Sequence, residues 1–208
     1  MHRLRAVCGI LGPASFVGGW LLAGNRAPDC SPVRDAISQL AREGAPTRPL
    51  MTSAFISFGV LVPVYARALG LALESTPVRR VVTVAGVTTL GVAALPLTRE
   101  PGGTGDALHA LAAGSGYLAM AASPLLGGLA LRRIGHDRAA AASFAVSAVS
   151  LASLVTSLSP LGEGRTGLFQ RAGLTVVDTW FAAIATLLVL RGADAIKGPR
   201  GAMITAHD

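Results

Sequence analysis

The chain has 208 residues, of which 51% are hydrophobic and 14% charged, and its mean hydropathy is +0.56. A water-soluble domain of this size carries about a quarter charged residues, so an ordinary soluble enzyme domain is excluded and a bilayer is the indicated solvent. The net charge of +7 does not indicate nucleic acid, because aromatic residues make up only 5% and the arginines stand singly or in pairs between apolar runs. Basic residues placed that way are what orients a membrane protein.

Six apolar stretches, taken in chain order, predict an all-α polytopic membrane protein, a six-transmembrane-helix bundle forming one domain over residues 1–208. The first, Ala6–Gly24, follows Arg3 and Arg5 as a signal peptide would. It is long and lacks an A-x-A cleavage pattern after it, so it is expected to be retained. The others are Leu50–Leu73, Val81–Leu97, Ala107–Leu131, Ala139–Leu158 and Leu168–Leu190, followed by a polar tail over 191–208. Lengths of roughly 17–25 residues suit a hydrocarbon core of about 30 Å at ~1.5 Å per residue. Period-two alternation is missing, so a barrel is not expected. Pro63 and Pro124 fall in the same half of the second and fourth spans, which suggests two related kinked hairpins. Glycines such as Gly9, Gly12, Gly19, Gly86, Gly116, Gly127 and Gly128 predict close helix packing, with a glycine face left as a route to a homo-oligomer.

The connection Asn25–Pro49 is the longest. Ser31 suits an N-cap, Pro32 the first helical position and Gly44 a stop, while Val33, Ile37 and Leu40 form one apolar stripe. These features predict a short amphipathic surface helix, about Pro32–Glu43.

Orientation follows from the basic residues. With the N-terminus inside, the inner segments hold Arg3, Arg5, Arg67, Arg79, Arg80, Arg132, Arg133, Arg138, Arg191, Lys197 and Arg200. The outer side holds Arg26, Arg34, Arg42, Arg48, Arg99, Arg165 and Arg171. The imbalance predicts a multi-pass protein of the plasma membrane with both termini cytoplasmic, so membrane lipids are its expected partners. Cys8 and Cys30 fall near opposite faces and are not expected to pair.

The stretch SPVRDAISQLAREGAP, with GTGDALHALAAGSGYLAM and GLFQRAG further on, resembles the family of bacterial and archaeal membrane proteins called domain of unknown function 998. In that family an S-P-x-R-D-x-I-S-x-L pattern follows the first span. The resemblance runs over nearly the whole chain and implies a six-helix membrane protein without an established activity. Members often carry Glu where this chain has Gln39.

Asp178 lies ten residues into the last span, near mid-membrane, where a carboxylate faces the bundle interior at a cost of about 3 kcal/mol. Arg171 lies two turns earlier on the same face. With Asp106, His109, Arg34 and Asp35 these residues are candidates for one outward-facing polar pocket that binds a lipid, a small amphiphile or a partner. The competing expectation is structural: Arg34 and Asp35 pairing with Arg171 and Asp106 to clamp the surface helix on the bundle. No cofactor and no metal are implied, and no catalytic residue is assigned. Paired intramembrane histidines for haem are missing, the one lysine, Lys197, is in the tail, and neither H-E-x-x-H, C-x-x-C nor a phosphate-binding glycine loop occurs. A non-enzymatic binding protein is the leading reading. A small proton-coupled transporter using Asp178 and an intramembrane lipid-modifying enzyme using His109 are its alternatives.

Overall fold

The computed structural model describes residues 2–100 and 102–192, so the expected polar tail lies almost wholly outside the described residues. Six α-helices follow one another: α1 (His2–Gly24), α2 (Arg48–Ala72), α3 (Thr76–Ala94), α4 (Thr104–Arg133), α5 (Asp137–Ser157) and α6 (Thr166–Arg191). Each helix packs against the next, and α6 returns to α1, so the bundle is a closed ring of six. The short 73–75 and 134–136 connections lie at the same end as the start of α1. Arginines crowd this basic end, among them Arg3, Arg5, Arg79, Arg80, Arg132, Arg133 and Arg138. The opposite, loop end carries the 25–47 connection.

The perimeter is apolar. Leu11, Leu21, Val60, Val87, Leu111, Leu118, Leu129, Val155 and Leu190 are all more than 45% exposed, a surface that water would not tolerate over such an area. The interior is small and tight by comparison. Gly9 lies under the Tyr65 ring, Gly19 under Ala54 and Gly127 under Trp180, and a Cβ on any of them would collide with that neighbour. With lipid outside, close packing of this kind rather than hydrophobic exclusion holds the helices together.

Five helices, α1, α2, α4, α5 and α6, are long and apolar enough to cross a membrane. The chain is a multi-pass helical membrane protein. Helix α3 is outside that set, although a span was expected at Val81–Leu97. Its first turns contain Arg79 and Arg80, and the helix ends at Ala94 just before Pro96. The helical part after Arg80 therefore rises only about 21 Å at ~1.5 Å per residue, short of a ~30 Å core. It lies between α2 and α4 in the ring.

The two halves of the ring differ inside. Toward the basic end the centre is filled by Tyr65 of α2 and Phe181 of α6, whose ring centroids are 5.8 Å apart. The buried Tyr65 hydroxyl donates to the Phe181 carbonyl at 3.2 Å. Toward the loop end Phe16 lies 5.9 Å from Phe55 and 5.5 Å from Phe58, and the packing there leaves a space.

The loop-end connection is less helical than its sequence suggests. Instead of a helix over Pro32–Glu43 it contains turns and one short 3₁₀ segment, Ile37–Ala41. Ile37 and Leu40 are buried as the stripe predicts, but Val33 is 44% exposed. The carbonyls of residues 32–35 that would have built the first helical turn are engaged by α6.

Candidate functional site

Helix α6 begins under this connection, and its first turn explains the loop's shape. The amides of Gly167 and Leu168 donate to the carbonyls of Arg34 (3.3 Å) and Val33 (2.9 Å). These are amides that a helix start leaves without an internal partner, so the loop caps the helix. Gly167 is required by this approach, because a Cβ there would meet the Asp35 and Pro32 carbonyls and the Arg171 guanidinium. One turn on, Arg171 is only 8% exposed. Its Nη1 donates to the carbonyls of Pro32 and Asp35, each at 2.8 Å, and of Gly167 at 3.1 Å. The guanidinium lies 5.5 Å from the Trp20 ring centroid, a cation–π contact with α1. Beside it, Gln170 accepts the Ile37 amide at 2.7 Å. Thr47 closes the turn from the other side by donating to the Leu40 carbonyl at 2.8 Å.

A clamp thus exists, but it grips carbonyls, not the ion pairs anticipated between Arg34 or Asp35 and Arg171 or Asp106. Arg34 pairs with its neighbour Asp35 at 3.1 Å. The Arg34 guanidinium holds the Asp35 carboxyl below the usual carboxylate range, helped by the Ser31 amide at 2.8 Å and opposed by partial burial. The same bond raises Arg34 above its ordinary value. All three bonds leave from Nη1, while Nε is buried without a partner, and the neutral carbonyls hold the guanidinium without a second desolvated charge.

Asp106 and His109 serve a different connection. Asp106 accepts the Thr98 amide (2.8 Å), the Thr98 hydroxyl (2.9 Å) and the Gly102 amide (3.0 Å), which orders the turn between α3 and α4. His109 is buried, with Nδ1 2.6 Å from the Leu95 carbonyl and Nε2 without a partner. Arg42 links the two connections by donating to the carbonyls of Thr98 (2.9 Å) and Arg99 (2.7 Å). Asp178 stands apart from all of them. It is 2% exposed at the middle of α6, and neither carboxyl oxygen has a hydrogen-bond partner. Among the described residues no three His, Cys, Asp or Glu side chains form a group able to hold a metal ion.

Two spaces flank the Ile37–Ala41 turn. Below it lies an apolar cavity of about 70 Å³ inside the ring, lined by Phe16, Phe55, Phe58, Val92, Met120 and Leu174, with Ser38, Gln170, Thr89 and Tyr117 as its polar atoms. Above it is an open depression of about 480 Å³, lined by Arg26, Asp29, Cys30, Arg34, Asp35, Gln39 and Arg42. Ile37 and Ser38 belong to the inner space, Gln39 and Leu40 to the outer one, so one turn of backbone separates them. Of the six residues singled out in the sequence, Arg34 and Asp35 line the depression, and Arg171 holds its floor from beneath. Asp106, His109 and Asp178 line neither space.

The sequence reading passed over Gln170, Trp20 and the aromatic cavity wall. Gln170 stood beside the arginine of GLFQRAG, and its adjacency was the one available signal. The convergence of Phe16 with Phe55 and Phe58 joins residues far apart in the chain and had none. No curated protein and no solved structure matches this chain. The model of the family described as "Protein of unknown function (DUF998)" matches residues 10–187, which takes in the loop clamp, both spaces and Asp178. The chain therefore belongs to the DUF998 family of proteins of unknown function.

Proposed function

We propose that this protein is a non-enzymatic membrane receptor or carrier for one small amphiphile, held at the loop end, which faces the outside of the plasma membrane while both termini are cytoplasmic. The single observation carrying this reading is the pair of spaces on either side of the Ile37–Ala41 turn, one apolar and one charged. An amphiphile needs both environments within reach of each other. The inner volume of about 70 Å³ has room for about five water-sized groups, which is the end of an acyl chain and not a whole lipid. The outer depression offers Arg26, Arg34 and Arg42 beside Asp29 and Asp35, a mixed-charge lining suited to a zwitterionic or anionic headgroup. Arg171 and Gln170 act as positioning residues, because they set where the dividing turn lies.

The test is thermal unfolding of the purified full-length protein with a short-chain lysophosphatidylcholine or lysophosphatidylglycerol, read beside mass spectrometry of co-purified lipid. Stabilisation by the amphiphile that Ala113→Leu abolishes without lowering the unliganded Tm is expected, since Ala113 lines the inner space. An equal shift in both proteins would refute the cavity as the site.

Asp178 favours a second reading. A mid-bundle carboxyl without a partner is costly to keep in a membrane, and a carrier coupled to protons would need such a group. Proteoliposome flux of the same amphiphile that loses its pH dependence in Asp178→Asn would support it. PH-dependent flux unchanged by that substitution would remove it.

A further inference from the structure

The far, basic end of the bundle carries a second apolar space that the loop-end reading does not use. It is a groove of about 230 Å³ between α5 and α6, open to the perimeter, with Ala139, Ala142, Trp180, Ile184 and Leu187 as its apolar walls and His136 at its mouth. Trp180 forms the floor, and its indole N–H is already satisfied by the Ser143 hydroxyl at 2.9 Å. The floor therefore presents hydrocarbon and no free donor. From Trp180 to Leu187 the groove follows about 10 Å of the α6 axis at ~1.5 Å per residue, a depth that lies within one leaflet's ~15 Å of hydrocarbon.

Charge decides the occupant. Arg138 is four residues before Ala142, and Arg191 four residues after Leu187. Residues four apart share a helix face, so Arg138 and Arg191 stand on the groove-lining faces of their helices at the basic end, and both are exposed. Arg132 and Arg133 end α4 next to the groove-lining Leu131, while Asp137 is the one acid in the 131–139 turn. We propose that this groove is a binding site for an anionic phospholipid of the bilayer, with one acyl chain against Trp180 and its phosphate between Arg138 and Arg191. The small side chains of Ala139 and Ala142 leave the room for the chain. The site is independent of the loop-end amphiphile, lies at the opposite end of the bundle and shares no residue with it.

The full-length protein carrying Trp20→Phe, so that Trp180 is its one tryptophan, is reconstituted in vesicles of phosphatidylcholine mixed with dibrominated phosphatidylglycerol. In a second series the bromine is on the phosphatidylcholine. Quenching of Trp180 fluorescence then reports which lipid sits in the groove. Preference for phosphatidylglycerol over phosphatidylcholine on the order of tenfold is expected from two arginines at the membrane surface. It should fall to near unity in Arg138→Gln/Arg191→Gln, and be lost in Ala142→Phe, which fills the groove from the lipid side. Equal quenching by the two lipids in the unmodified groove would overturn the proposal. So would a preference that survives either set of substitutions.

Discussion

Replacing Arg171 by methionine isolates the energy that holds the loop. Methionine keeps much of the buried stem and removes the donors that reach Pro32 and Asp35, each now at 2.8 Å. A hydrogen bond from a charged group contributes about 1.5–3 kcal/mol, so the two loop contacts amount to roughly 3–6 kcal/mol gross. Two effects reduce this. The freed carbonyls rehydrate once the loop lifts, and a partly desolvated guanidinium no longer has to be accommodated. A net loss of about 2–3 kcal/mol remains, which is roughly 30- to 150-fold in the opening equilibrium at ~1.4 kcal/mol per decade. Hydrogen–deuterium exchange in nanodiscs reads this directly. The amides of Ile37, Gly167 and Leu168, bonded respectively to Gln170, Arg34 and Val33, should exchange faster by about that factor. Amides within α2 and α4 should keep their rates. An acceleration of less than about threefold would show that the helix cap and Gln170 hold the loop without Arg171, and the clamp argument would fail.

Gly167→Ala should act on the same loop by steric means, because the added Cβ meets the Pro32 and Asp35 carbonyls. Exchange at residues 33–37 should rise, and the double variant with Arg171→Met should add little to either single change, since both release one contact. Tyr65→Phe removes the buried bond to the Phe181 carbonyl, 3.2 Å long. It should lower stability by about 1 kcal/mol, seen as a lower Tm in a fixed detergent, without altering loop exchange. Acid should loosen the loop through Asp35. Its folded-state titration lies below the ordinary carboxylate value, chiefly through Arg34. Its contribution is therefore complete above an unfolded value of about 4 and is lost as pH falls below that through the folded one. Exchange of the Ser31 amide, bonded to the Asp35 carboxylate, should be protected and flat above pH 5 after correction for intrinsic rates. Protection should drop below pH 4, and Asp35→Asn should abolish that step.

How much was legible in the sequence depended on how local each interaction is. Membrane residence, six helices and their order required only apolar runs of roughly 17–25 residues, a property of neighbours along the chain. Burial of Ile37 and Leu40 followed from their spacing for the same reason. Asp106 was grouped with the distant Arg34, Asp35 and Arg171, whereas it caps a turn eight residues away at Thr98. The 3₁₀ turn in place of a surface helix, by contrast, is set by α6. Ser31, Pro32 and Gly44 carry helix signals, yet Arg171 and the α6 amides take the carbonyls that such a helix would use, across more than 130 residues of chain.

The sequence by itself determined the solvent of this protein and the elements that meet it, because lipid rejects any unpaired backbone and so leaves an apolar run one conformation. The tertiary structure alone decided what those helices enclose. Only the closing of α6 onto α1 brings Arg171 against Trp20 and beneath the loop. Only the ring of α1, α2, α3, α4 and α6 leaves an apolar space beneath Ile37. Such contacts depend on the relative rotation and depth of whole helices, set by packing at positions such as Gly9, Gly19 and Gly127, and no periodicity within a single segment encodes them.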